Sequence, residues 1–334
     1  MARRRTTSVG TSPSGTWNAR YSARSVARGR AGADLTAPRD DDRISDWLRD
    51  LGLPGLIDLH THFLPQNVLD KVWAYFDNAT EHYGMRWDIN YRHDEPTRVR
   101  LLSDFGVRAY APLVYAHKAG MAEWLNGWVR DFAERTQDAV PTATIYPEPG
   151  VGDYLARALG EGARCVKMHV QVGGFDPRDP LLDHAWGLLA ETGVPVVVHC
   201  GHGPTPGRYT GLDVFEGVLR RHPGLTAVLA HAGMPDYLAA LALVERYPQV
   251  HLDTTMVGTA FSERFAPLPK DWAARVAAHP DRIVLGTDYP NIPYQYADQL
   301  AVIADWAGRD PRLGKPFLRA VLHDTPAKLL GLDL

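Results

Sequence analysis

From Gly55 onward the chain alternates short runs of Val, Ile, Leu and Ala with longer amphipathic stretches. The apolar runs fall at 55–60, 107–114, 141–146, 163–169, 195–199, 225–231, 249–255 and 282–288. Short continuous apolar runs are the pattern of strands buried on both faces. Segments with helical apolar spacing lie between and after them, at 119–136, 150–160, 180–192, 211–222, 233–247, 271–279, 294–307 and 315–331. Strand–helix alternation of this kind implies βα units around a parallel sheet. Eight such units over about 280 residues predict an α/β fold of the (β/α)8 TIM-barrel type. A doubly wound open sheet is the competitor. That fold usually carries a Gly-rich phosphate loop after its first strand. Here His60-Thr61-His62-Phe63-Leu64-Pro65 stands in that place, which favours the barrel.

Three segments depart from the rhythm. The stretch 66–106 is too long for an ordinary βα connection, and it carries Trp73, Tyr75, Phe76, Tyr83, Trp87 and Tyr91 among charged residues. It predicts an insert after strand one that forms a helix and a lid over the pocket. Ahead of strand one, residues 44–51 have helical spacing and Gly52 is a fitting stop. The C-terminal run 315–331 is amphipathic, so it either closes the bottom of the barrel or meets a second subunit, as in a homodimer.

Composition changes this picture little. The chain has 334 residues, 45% hydrophobic and 22% charged, an ordinary globular balance. A net charge of −3 argues against a general nucleic-acid or acidic-membrane partner. No apolar run approaches the roughly 18 residues of a membrane helix. Charge is uneven, however. Residues 1–40 hold eight Arg and two Asp, for +6, so the remainder carries −9. Residues 1–42 are expected to be a disordered Arg-rich leader, with residues 43–334 forming one barrel domain. The leader's composition is also that of an organelle transit peptide, but no apolar segment follows Arg3-Arg4-Arg5 as an export signal requires. The expected location is cytoplasmic. Cys165 and Cys200 read as small buried hydrophobes rather than a disulfide framework.

The candidate chemistry sits at strand ends. Strand one ends in His60-Thr61-His62, strand five in His199, strand six in His231 and strand eight in Asp288. A parallel barrel gathers the C-terminal ends of its strands on one rim, where its active sites lie. Imidazoles and a carboxylate on one rim make a divalent-metal site. His60 and His62 are two apart and so share a strand face. Asp58 is expected on that face one layer deeper, where it would orient an imidazole.

Five separated segments carry a family likeness: residues 57–65, Val166-Lys167-Met168-His169, Val197-Val198-His199, Leu229-Ala230-His231-Ala232-Gly233 and Leu285-Gly286-Thr287-Asp288-Tyr289-Pro290. Over roughly 55–332 the chain resembles the amidohydrolase superfamily. Within it, the likeness is to the amidohydrolase-related group that includes aminocarboxymuconate-semialdehyde decarboxylase. The resemblance implies that His60, His62, His199 and Asp288 hold one divalent ion, most often zinc. It implies that His231 is the acid/base beside a zinc-bound water, and that Asp288 both touches the metal and takes a proton. Zinc lowers the pKa of its water toward about 7, which suits that assignment. Relatives with two metals carbamylate a strand-four lysine as a bridge. Lys167 sits where that would be allowed, but the single-metal reading is preferred. Lys167 and His169 are then substrate-binding residues. Arg86 and Arg92 in the insert are candidate clamps for a substrate carboxylate, and His202 is a candidate pocket residue. The expected activity is hydrolysis of an amide, lactone or ester of a small molecule. Non-oxidative decarboxylation of an unsaturated or aromatic acid is the alternative, and a non-catalytic binding barrel the third reading.

Overall fold

The computed structural model describes residues 35–333. The expectations for the leader before residue 35 lie outside the described residues. The first described turns are tied down. Asp41 Oδ1 accepts the Ala297 N–H at 2.9 Å, and Asp41 also accepts the Tyr91 hydroxyl. The helix Ile44–Leu51 follows and ends at Gly52, whose φ of 72° is left-handed as a helix stop requires.

All eight expected strands are present, each within or close to its expected range. They are β1 (Leu56–Thr61), β2 (Val107–Pro112), β3 (Thr142–Thr144), β4 (Cys165–His169), β5 (Val196–His199), β6 (Ala227–Leu229), β7 (Val250–Asp253) and β8 (Ile283–Val284). Parallel ladders join β1 to β2 and join β3 through β8 in order. Backbone hydrogen bonds cross both gaps between these groups. Tyr110 N–H donates to Asp138 O and Val140 N–H to Tyr110 O, both at 2.9 Å. On the other side Leu59 N–H donates to Leu285 O at 2.9 Å and Asp288 N–H to His60 O at 2.8 Å. This is the TIM-barrel architecture that the alternating pattern predicts.

Alternation along the strands sorts the core. Val166, Met168, Val196, Val198, Ala227 and Leu229 face the helices in one large cluster. Cys165, Val197, Val228 and Val284 point inward with Ile57 and Leu59. Ala327 and Leu330 join this inner cluster, so the C-terminal segment closes the barrel floor. That segment is not one helix: Gly314–Arg319 and Thr325–Leu329 are joined by a π turn at Ala320–Asp324. Both cysteines are buried and unbridged, as expected.

The insert after β1 forms three helices, Gln66–Asp77, Ala79–Tyr83 and Glu95–Asp104. No helix of the described residues is long and apolar enough to cross a membrane.

Candidate active site

Lys167 stands on β4 directly above Cys165, on the inward face, and is completely buried. Its Nζ is 2.9 Å from His60 Nε2. His60 therefore also points into the barrel, although Leu59 beside it does so too. Adjacent residues of a regular strand cannot share a face. The β1–β2 register shifts between Asp58 and Thr61, and this irregularity turns His60 and His62 inward. It also corrects the expectation for Asp58. That carboxylate does not reach an imidazole ring; it accepts the Thr287 hydroxyl at 2.6 Å, the Tyr296 hydroxyl at 2.9 Å and the His60 backbone N–H at 3.0 Å. Burial pushes the Asp58 carboxyl up to about 7, even against those hydrogen bonds.

The carboxylate that does orient His60 is Asp253, at the end of β7, with Oδ2 2.8 Å from His60 Nδ1. Its other oxygen accepts the backbone N–H groups of His231, at 2.7 Å, and Thr255, at 3.1 Å. Burial opposes ionisation of Asp253, but its contacts with His60, with His231 and Lys167 nearby, hold it at about 2. Nothing in the reading of strand ends singled out Asp253. The available signal was that Asp253 ends the apolar run of β7, as Asp288 ends the run 282–288.

Each of the four site imidazoles has one ring nitrogen committed. A carbonyl or carboxylate oxygen can only accept, so the nitrogen facing it carries the proton. His60 Nδ1 faces Asp253, His62 Nδ1 faces Leu113 O at 2.8 Å, and His231 Nδ1 faces Thr255 O at 3.2 Å. His199 is reversed, with Nε2 3.0 Å from Gly203 O. The second ring nitrogens, Nε2 of His60, His62 and His231 and Nδ1 of His199, are left for the site, and that of His60 also meets Lys167. Burial, then the Lys167 charge, pushes His60 down to about 3. Burial likewise lowers His231, and lowers His199 well below the usual imidazole range.

Asp288 meets two of these nitrogens. Its Oδ1 is 2.9 Å from His62 Nε2 and 3.3 Å from His60 Nε2. Donor atoms of His60, His231 and Asp288 all lie within 4.8 Å of one another. The His199 ring stands 4.7 Å from that of His231 and stacks on His169 at 4.0 Å. The pairing of His169 with His199 across the β4–β5 ladder produces this stack. Two of the site residues sit in left-handed backbone, His231 at φ 56° and Asp288 at φ 69°. Such strain in non-glycine residues is held by surrounding structure and gathers at functional sites.

A cavity of about 760 Å³ opens above this cluster. His62, His169, His199, His231 and Asp288 line it, and the insert contributes a wall through Val72, Tyr75, Phe76, Tyr83 and Trp87. Asn291 lines it too, accepting the Trp73 indole N–H at 3.0 Å. Arg86 and Arg92, the expected clamps, do not reach the cavity. Arg86 is solvent-exposed and pairs with Asp88. Arg92 makes a two-pronged pair with Asp77, at 2.7 and 2.9 Å, and lies over the Trp73 ring. His202 is taken by Asp236 instead of the pocket. Lys71, His117 and Lys118 line the cavity and were not singled out from the sequence.

The amidohydrolase family model matches residues 57–332, and the chain belongs to that family. Solved structures share the fold at low identity. An uncharacterized TIM-barrel protein from Bordetella bronchiseptica is 18% identical, with a TM-score of 0.60 over 83% of this chain and 98% of that one. A zinc-bound amidohydrolase from Burkholderia multivorans is 18% identical, with a TM-score of 0.57 over 83% and 99%. IDCase from Metarhizium anisopliae, in apo form, is 16% identical, with a TM-score of 0.57 over 85% and 99%. No curated protein matches the chain.

Proposed function

We propose that this protein is a metal-dependent hydrolase that acts on an amide, lactone or ester of a small molecule, with one divalent cation held by His60, His62, His199 and Asp288. One observation carries the reading. His62 Nε2 stands 2.9 Å from Asp288 Oδ1 in a buried site, with His62 Nδ1 held by Leu113 O. His60 Nε2 faces the same oxygen at 3.3 Å. Imidazole nitrogens from one strand converging on a single carboxylate oxygen form the kind of donor cluster that holds a divalent cation. Neutral imidazoles and an ionised carboxylate are the donor set that zinc takes, and the zinc in the Burkholderia relative supports that choice. Asp253 behind His60, with carbonyls behind His62, His199 and His231, supplies the outer support such ligands usually have.

A divalent cation there would supply Lewis-acid polarisation of a carbonyl and lower the pKa of a neighbouring water. The chain's own residues do the rest. His231 presents a neutral Nε2 to the cavity and accepts a proton from the attacking water. Asp288 shares that task through its second oxygen. Lys167 is fully buried beside His60, where burial holds its amine down at about 8. It carries positive charge to the reaction centre. His169 borders the cavity and bounds the substrate.

The test is turnover of a panel of aryl esters, lactones, amides and aromatic acids by the zinc-loaded protein. Hydrolysis of at least one member is expected, with kcat falling about 10²- to 10⁴-fold in His231→Asn and Asp288→Asn. Release of carbon dioxide from an aromatic or unsaturated acid, with no hydrolysis, would overturn the reading in favour of decarboxylation.

A further inference from the structure

The cavity mouth differs from its floor. At the floor, ligand-type side chains are buried. At the mouth, Tyr75, Trp124 and Val172 line the cavity with 45–47% of their surface exposed. These belong to three different helices, so the opening wears an apolar collar. An apolar rim on an open cavity marks a binding surface for an apolar body.

Four nitrogen-bearing side chains, Asn67, Lys71, His117 and Lys118, join that collar. Asn67, Lys71 and Tyr75 recur every fourth residue along the helix Gln66–Asp77 and line the cavity together. His117 and Lys118 come from the loop between β2 and the helix Ala122–Arg135. Lys71, His117 and Lys118 thus line one cavity, and burial, then the charges of Lys118 and Lys71, hold His117 below its ordinary value. Neither lysine makes an ion pair among the described residues. The one carboxylate among the lining side chains is Asp288, which the site already uses. The mouth therefore holds two uncompensated positive charges beside an aromatic wall.

The geometry points to an anion subsite formed by Lys71, His117 and Lys118, which holds the oxyanion group of a substrate whose apolar or aryl body lies along the aromatic wall. The reacting bond then lies deeper, against His231 and Asp288. That placement rests on the proposed hydrolase reading, whereas the subsite itself can be measured without turnover. Two ammonium groups near one oxyanion give charge-assisted hydrogen bonds, and cavity walls of low dielectric strengthen them.

The probes are 6-phenylhexanoate and its neutral amide, titrated by calorimetry into the full-length metal-loaded protein. Wild type is expected to bind the carboxylate about tenfold more tightly than the amide. Lys71→Met with Lys118→Met is expected to abolish that preference and leave amide binding unchanged. Lys71→Arg with Lys118→Arg is expected to keep it. Both lysines are exposed, so the substitutions leave the fold intact. An unchanged preference in the Met variant would place the carboxylate elsewhere and overturn the proposal, as would no preference in wild type. A preference that persists in a protein without hydrolytic turnover would instead reject only the hydrolase reading.

Discussion

Orientation of His60 depends on a side chain from the far side of the barrel in sequence. Asp253 takes its Nδ1–H, and Thr255 Oγ1 lies 3.1 Å from the same nitrogen. Removing such a partner typically weakens metal binding 10- to 100-fold without touching a ligand. Asp253→Asn is therefore expected to lower zinc affinity by about that factor, measured by competition with a chelator, while Asp58→Asn leaves zinc affinity within a few-fold. Equal effects from the two would show that the contacts to Asp253 carry no special weight. The ligand-type residues were legible because each ends an apolar run. Asp253 was less so, and Asp58 misled, because a register shift in β1 reverses the inside and outside of the strand. One-residue irregularities leave no mark on apolar periodicity. Arg86 and Arg92 misled for another reason: their partners Asp88 and Asp77 are as ordinary in sequence as they are.

Strands and helices place these residues through close approaches that only small side chains allow. Gly286 lies where β8 gives way to the loop carrying Asp288. A Cβ there would stand 2.5 Å from Thr255 Oγ1 and 2.8 Å from His60 Cβ. Gly286→Ala is expected to displace His60 and lower bound zinc well below wild type, read by elemental analysis of folded protein; full occupancy would refute this. Another element-scale device joins the first turns to the helix Tyr296–Arg309, where Asp41 accepts the Ala297 N–H and Tyr91 OH accepts the Tyr296 N–H at 2.6 Å. Burial raises the Asp41 carboxyl above its usual range despite its hydrogen bonds. A folded-state value above the unfolded one makes stability fall as pH rises from about 4 through the raised value. Asp41→Asn has no such proton, so the stability of wild type relative to this variant is expected to decline as pH rises above about 4 in urea titrations. A constant difference would contradict the burial argument. Helix ranges were mostly readable from apolar spacing. The π turn at Ala320–Asp324 was not, because it keeps the same amphipathic pattern as the helices beside it.

Across the whole molecule, eight apolar runs become eight parallel strands, and their C-terminal ends deliver four imidazoles and a carboxylate to one cavity. The fold was readable from the sequence because strand–helix alternation admits few architectures. The cavity's shape was not, because the insert at 66–106 is aromatic on several faces and periodicity does not say which rings turn inward. Tyr83 and Trp87 line the cavity, while Trp73 packs between Arg92 and Arg98. Everything proposed for the reaction follows from one cation at the meeting point of β1, β5 and β8. Metal content of the purified protein, by elemental analysis with His60→Ala, His62→Ala and Asp288→Asn alongside, tests this most directly. The expected result is about one zinc per chain in wild type and a loss of most of it in each variant. Wild-type protein that binds no divalent metal, or variants that keep it, would contradict the account, and two metals per chain would restore a bridging role for Lys167.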